Sequence, residues 1–180
     1  CISQLAKTGI DILLVSHIPV DVELQRDVDY FIYDERNELF EQNHADYYWY
    51  EDADIFFQTR RRGIGRQSFA VLRSIQDAVL FSKHIGKKFI YHFDYDCFIK
   101  DSDLDKITSL RRELDIEGKK GYFQSCDQGS VGNTKSSFIL NFFALYIDLF
   151  CEKIGFVNNI EEYKDKISDY MLEFYMYERL

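Results

Sequence analysis

The chain has 180 residues, of which 46% are hydrophobic and 17% aromatic, enough apolar surface for one folded domain and too much for a disordered chain. Its 22 basic residues against 31 acidic ones give a net charge of -9. That excludes a general nucleic-acid binder, because phosphate backbones are held by surplus Lys and Arg.

Four cysteines, Cys1, Cys97, Cys126 and Cys151, stand far apart with no C-x-x-C pair. Reduced, mostly buried thiols are expected, and with them a cytoplasmic protein, peripheral attachment to a membrane being left open. The longest apolar run, Phe138 to Cys151, is broken by Asn141 and Asp148 and is shorter than the ~20 residues that span a bilayer. No transmembrane segment is expected.

Ile2, Leu5 and Ala6 have helical spacing and Gly9 follows as a stop. A helix feeding the first strand implies an earlier strand upstream of Cys1, so the sequence is expected to be a fragment. DILLVSH (Asp11 to His17) and DYFIYD (Asp29 to Asp34) read as two parallel strands, with Pro19 in the connection between them. Glu41 to Gly65 is irregular, polar and aromatic, and reads as a long loop that ends in the basic stretch Gln58 to Arg66. From Gln67 to Ile85, Val71, Leu72, Ile75, Val79 and Leu80 keep a 3.6-residue period, with Lys83 and His84 in the last turn and Gly86 beyond it. That predicts a helix.

The helix leads to a strand, Lys88 to Phe93, that runs into two carboxylates one residue apart, Asp94 and Asp96. An apolar strand of this kind predicts the centre of a covered parallel sheet, and ligands of such sheets gather outside the carboxyl ends of the strands. Two like charges about 5 Å apart repel by roughly 3 kcal/mol at an effective dielectric near 20, which a divalent cation between them reverses. The structural alternative is a strand-end turn or a helix-capping pair.

A short amphipathic helix, Asp101 to Leu114, is expected next, then strands Gly121 to Cys126 and Ser137 to Phe143 separated by an exposed Gly- and Ser-rich loop. The tail from Ile160 to Leu180 places Ile160, Tyr163, Ile167, Tyr170, Met171, Phe174 and Tyr177 on one helical face. The expected organisation is a domain over 1-156 followed by a helical extension over 157-180.

A strand ending in D-x-D, preceded by a long helix and two strand-and-loop units, resembles the nucleotide-sugar glycosyltransferases of the GT-A fold. The match covers roughly Ile2 to Phe143 and is strongest over Gly63 to Ile99. The resemblance implies an α/β fold of GT-A (Rossmann-like) type, a mostly parallel sheet flanked by helices, with a helical C-terminal extension. It implies Mn²⁺ or Mg²⁺ as cofactor, and as partners a nucleoside-diphosphate sugar donor, UDP- or GDP-linked, and an acceptor that the sequence does not identify. Ser16-His17-Ile18-Pro19 stands where the large inverting family carries Asp-Asp-Gly-Ser, and the only tryptophan, Trp49, precedes the acid pair, so no Gln-x-x-Arg-Trp stretch follows it. Processive polysaccharide synthesis is therefore not expected.

On this resemblance Asp94 and Asp96 hold the cation, whose hard character suits carboxylate oxygens. Asp34 and Asn37, just past the second strand, hydrogen-bond the base or ribose, or serve as ordinary turn residues. His17 lines the nucleotide pocket or is structural. Arg66, in the basic cluster Arg60, Arg61, Arg62 and Arg66 ahead of a helix amino terminus, docks the diphosphate, or the cluster is a solvated loop. Asp127 is the positional candidate for the base that takes the acceptor's proton. Two other functions compete: a sugar-, nucleotide- or cation-binding module of the same fold without catalysis, and a haloacid-dehalogenase-like phosphatase. The latter fits poorly because Cys97 follows the second acid where Thr or Val is usual.

Overall fold

The computed structural model describes residues 2–35, 53–94, 97–125, 138–167 and 172–180, with residues 53–68 described by backbone alone. Helix α1 (Ile2–Leu5) passes into a 3-10 turn (Ala6–Thr8) that stops at Gly9, as the sequence predicts. Strand β1 (Leu13–Ser16), the short helix α2 (Val22–Arg26) and strand β2 (Tyr30–Tyr33) follow. β1 and β2 pair in parallel from Leu13↔Tyr30 to Ser16↔Tyr33. The Asp29 carboxylate accepts the Ile12 N–H at 2.7 Å and so ties the start of one strand to the start of the other.

Helix α3 (Ala53–His84) is 32 residues long. The loop expected over Glu41 to Gly65 is thus helix from Ala53 onward, and Arg60, Arg61, Arg62 and Arg66 lie within α3 rather than ahead of its amino terminus. Gly63 and Gly65 each disfavour helix by about 1 kcal/mol relative to Ala. Propagation from an anchored helix is cheap, however, and Phe69, Leu72, Ile75 and Val79 anchor this one in the core. The helix ends where its sequence predicts. Gly86 takes a φ of 78°, with Gly86 N–H donating to Lys83 C=O and Lys87 N–H to Ser82 C=O, a left-handed termination that favours glycine.

Strand β3 (Phe89–Phe93) starts three residues after that turn, followed by α4 (Asp101–Ile116), β4 (Gly121–Ser125) and β5 (Phe138–Tyr146). In the second sheet the order is β3-β5-β4, with β5 antiparallel to both neighbours. The fold is α/β, but the mostly parallel sheet is corrected: among the described residues one ladder is parallel and two are antiparallel. β3, expected at the centre of its sheet, lies at an edge of it among the described residues, and an apolar run does not encode strand direction. Only residues 126–137 join β4 to β5, the lower limit of what a parallel crossover requires. β3 is half-buried along its length rather than fully covered.

The sheet has two distinct faces. Ile90, Phe123, Phe143 and Leu145 join Phe69, Leu72, Ile75 and Val79 of α3 in the core, while Phe89, Tyr91, Phe93, Phe142 and Tyr146 lie on the opposite face. There Phe89 packs edge-on against Tyr91 and Tyr146, and Arg111 of α4 lies 6.0 Å from the Phe89 ring.

Helix α5 (Ile147–Lys153) continues directly from β5; α6 (Ile160–Ile167) and α7 (Leu172–Arg179) follow. Of the helix expected over Ile160 to Leu180, Ile160–Ile167 and Leu172–Arg179 are described as helical, and residues 168–171 lie outside the described residues. Tyr163, Leu172, Tyr175 and Met176 are buried in the same core as Phe69 and Phe143. Buried Gln76 of α3 secures the join: with its amide nitrogen toward Val157 C=O, it donates there at 3.3 Å and accepts the Val157 N–H at 2.6 Å.

Strand direction brings several strand ends to one edge. β2 runs against α3, since Tyr30 meets Phe81 with ring centroids 5.1 Å apart and Asp34 meets Arg73 further toward the helix amino terminus. β3 returns along α3 in the same sense as β2, and the Lys87 to Asp11 ion pair joins the starts of β3 and β1. β3 and β4 are parallel to each other across β5. The carboxyl ends of β1, β2, β3 and β4 accordingly face one side.

Candidate functional site

The site begins at the end of β3. Asp94 N–H donates to Asn141 C=O at 3.0 Å, so the ladder with β5 continues one residue beyond Phe93. The two-residue period of a strand places Ile90, His92 and Asp94 on one face. His92 stacks on Phe143, with centroids 4.6 Å apart and an interplanar angle of 17°. Its Nε2 lies 3.1 Å from Asp94 Oδ1; since the carboxylate can only accept, Nε2 carries the hydrogen. Cys97 N–H donates to Asp94 C=O at 3.0 Å, and the Cys97 thiol donates to Asn141 C=O at 2.9 Å. Asp94 is therefore held by backbone and side chain together. Asp96 lies outside the described residues.

At the end of the first sheet, Asp34 N–H donates to Ser16 C=O at 3.0 Å. Ser16 Oγ donates to Ile18 C=O at 2.7 Å and accepts the Ile18 N–H at 3.2 Å, fixing the turn that carries His17. Partial burial pushes the His17 pKa down and favours the neutral imidazole. The Asp34 carboxylate, whose side chain is 11% exposed, lies 2.8 Å from Arg73 Nε of α3. Asp34 thus has a structural partner inside the protein. Asn37 lies outside the described residues.

Arg66 lies in α3, seven residues before Arg73, and at about 1.5 Å per residue it stands some 10 Å beyond the level of Asp34, on the side toward which the strands point. Asp127 belongs to the connection 126–137, outside the described residues, which leaves β4 at Ser125 and re-enters β5 at Phe138 on this same edge. Among the described residues, His17, Asp34 and Asp94 therefore each follow a strand whose carboxyl end points to the same side.

The chain matches no protein-family model, no curated protein and no solved structure.

No group of three or more His, Cys, Asp or Glu side chains arranged to hold a metal occurs among the described residues. Mg²⁺-type sites use one or two carboxylates and keep several waters. Asp94, with an oxygen oriented by a ring N–H, has the donor chemistry such a site uses. No helix among the described residues is long and apolar enough to cross a membrane. At the opposite edge Gly9, Asp11, Ile12, Arg26 and Asp29 line a cavity of about 240 Å³. Its acids already have structural work: Asp11 pairs with Lys87 and Asp29 accepts from Ile12.

His92, Arg73, Asn141 and Cys97 are the residues that sequence reasoning missed. For His92 the signal was present, because a strand's alternation places it beside Asp94. For Arg73, on α3, and Asn141, within β5, no local signal exists; each reaches the edge through a partner distant in sequence.

Proposed function

We propose that this chain is a metal-dependent glycosyltransferase of GT-A type that moves a sugar from a nucleoside-diphosphate sugar to an acceptor. The observation that carries the reading is that His17, Asp34 and Asp94 each follow directly on the carboxyl end of a strand, β1, β2 and β3, and that these strands point the same way.

In this reading Asp94 and Asp96 hold Mn²⁺ or Mg²⁺. The ion, when bound, supplies Lewis-acid stabilisation of the negative charge that grows on the departing diphosphate. Arg66, on the stretch of α3 that passes beyond the strand ends, brings positive charge to the same phosphates. His17, neutral in its partly buried position, and Asn37 offer hydrogen bonds to base and ribose. Asp34, clamped by Arg73, fixes the floor between β2 and α3. Asp127 takes the acceptor hydroxyl's proton.

The test is a thermal-shift panel of UDP-, GDP-, CMP- and dTDP-sugars with and without Mn²⁺. A ligand at a hundred times its dissociation constant stabilises the native state by about 2.7 kcal/mol, so at least one donor should raise Tm by several degrees only when Mn²⁺ is present. No cation-dependent shift with any donor counts against the proposal.

A further inference from the structure

We propose that His92 is a positioning residue that orients the Asp94 carboxylate for cation binding, an inference that rests on the glycosyltransferase reading above. Asp94 sits one residue past the last strand residue, where a carboxylate has rotamer freedom that a metal site must remove. His92 removes it. The imidazole is fixed from one side by its stack on Phe143, which is wholly buried, and its Nε2 faces Asp94 Oδ1 at 3.1 Å.

The aim of the ring is itself set by the core. Phe143 pairs directly opposite His92 in the β3-β5 ladder and also stacks on Phe123 of β4 at 5.9 Å. A chain of three rings thus runs across the sheet and ends on the carboxylate. With side-chain exposures of 21% and 35%, His92 and Asp94 stand at the border between core and edge. There the hydrogen bond is partly shielded from water while the Asp94 carboxylate stays partly exposed. Ligating carboxylates are commonly oriented by such outer partners, whose loss costs about 10- to 100-fold in metal affinity.

His92→Phe keeps a ring on Phe143 and deletes the donor. His92→Gln keeps a donor near the position of Nε2. Mn²⁺ alone, titrated into the full chain and followed by electron paramagnetic resonance of the free ion, measures the affinity, with Tm recorded in parallel and Asp96→Ala as the arm that reports on the cation site itself. The inference expects His92→Phe to weaken Mn²⁺ binding about 10- to 100-fold at unchanged Tm, and His92→Gln to stay within a few-fold of the parent. Unchanged Mn²⁺ affinity in His92→Phe, with binding lost in Asp96→Ala, overturns the positioning role and leaves the glycosyltransferase reading standing. Unchanged affinity in Asp96→Ala overturns that reading, and the inference with it. Should His92→Phe fail to fold, His92→Met supplies a second donor-less side chain of similar reach, with the same two outcomes deciding.

Discussion

Arg73 of α3 holds the Asp34 carboxylate at the end of β2, Nε to Oδ2 at 2.8 Å, with side-chain exposures of 27% and 11%. The pair binds the parallel two-stranded sheet to the long helix at the carboxyl end of β2. Removing one partner of a buried pair leaves an uncompensated charge, which costs about 3–5 kcal/mol when burial is complete, whereas exposed pairs contribute about 0–1 kcal/mol. Arg73→Met should therefore destabilise by an intermediate amount, about 1–3 kcal/mol in urea denaturation. The double variant Asp34→Asn, Arg73→Met should lose less than the sum of the single changes. Strict additivity would show that the pair is not coupled.

Phe143 is wholly buried between His92 and Phe123. Truncating a buried Phe to Ala costs about 3–5 kcal/mol, a large share of a total stability near 5–15 kcal/mol. Phe143→Ala should show that loss in its denaturation midpoint. Phe143→Leu, which keeps more of the volume, should cost markedly less.

Gln76 should matter as a connector. Gln76→Leu leaves the Val157 N–H and C=O without the partner they have in the core, and an unsatisfied buried polar group costs about 1–3 kcal/mol. The predicted result is a lower urea midpoint with an unchanged m-value. If Gln76→Leu matches the parent, the clamp contributes nothing to the docking of α6 and α7.

Glu162 provides a pH signature. A hydrogen bond from Lys166 Nζ at 2.6 Å, then the Asn158 N–H and amide at 2.9 Å, hold its carboxyl down at about 2, against an ordinary value of 4.5. The folded-state pKa is depressed, so the contribution is complete above 4.5 and is lost as pH falls through about 2. Acid titration of Glu162→Gln should give a stability difference from the parent that shrinks across that window. A difference independent of pH would contradict the assignment.

Much of this was legible in the chain because it is local. Val71, Leu72, Ile75 and Val79 set the period of α3, and Lys83, His84 and Gly86 marked its end. The apolar run before Asp94 announced β3. The start of α3 was not legible, since Gly63 and Gly65 weaken helical propensity and the anchoring comes from core contacts downstream. Strand direction was not legible either: Phe138–Tyr146 reads as a buried strand in any sheet, and its antiparallel place between β3 and β4 is decided by pairing with residues distant in sequence. The edge that unites His17, Asp34 and Asp94 follows only once those directions are fixed.

If Asp94 and Asp96 hold a cation that in turn holds a nucleotide, Asp96→Ala abolishes the binding of both. Calorimetric titration of parent and variant with UDP, GDP, CMP and dTDP, each with and without Mn²⁺, is the decisive measurement. The parent should bind at least one nucleotide only in the presence of Mn²⁺, and Asp96→Ala should bind none while keeping the parent's Tm. Undiminished Mn²⁺-dependent binding in a folded Asp96→Ala would contradict the account.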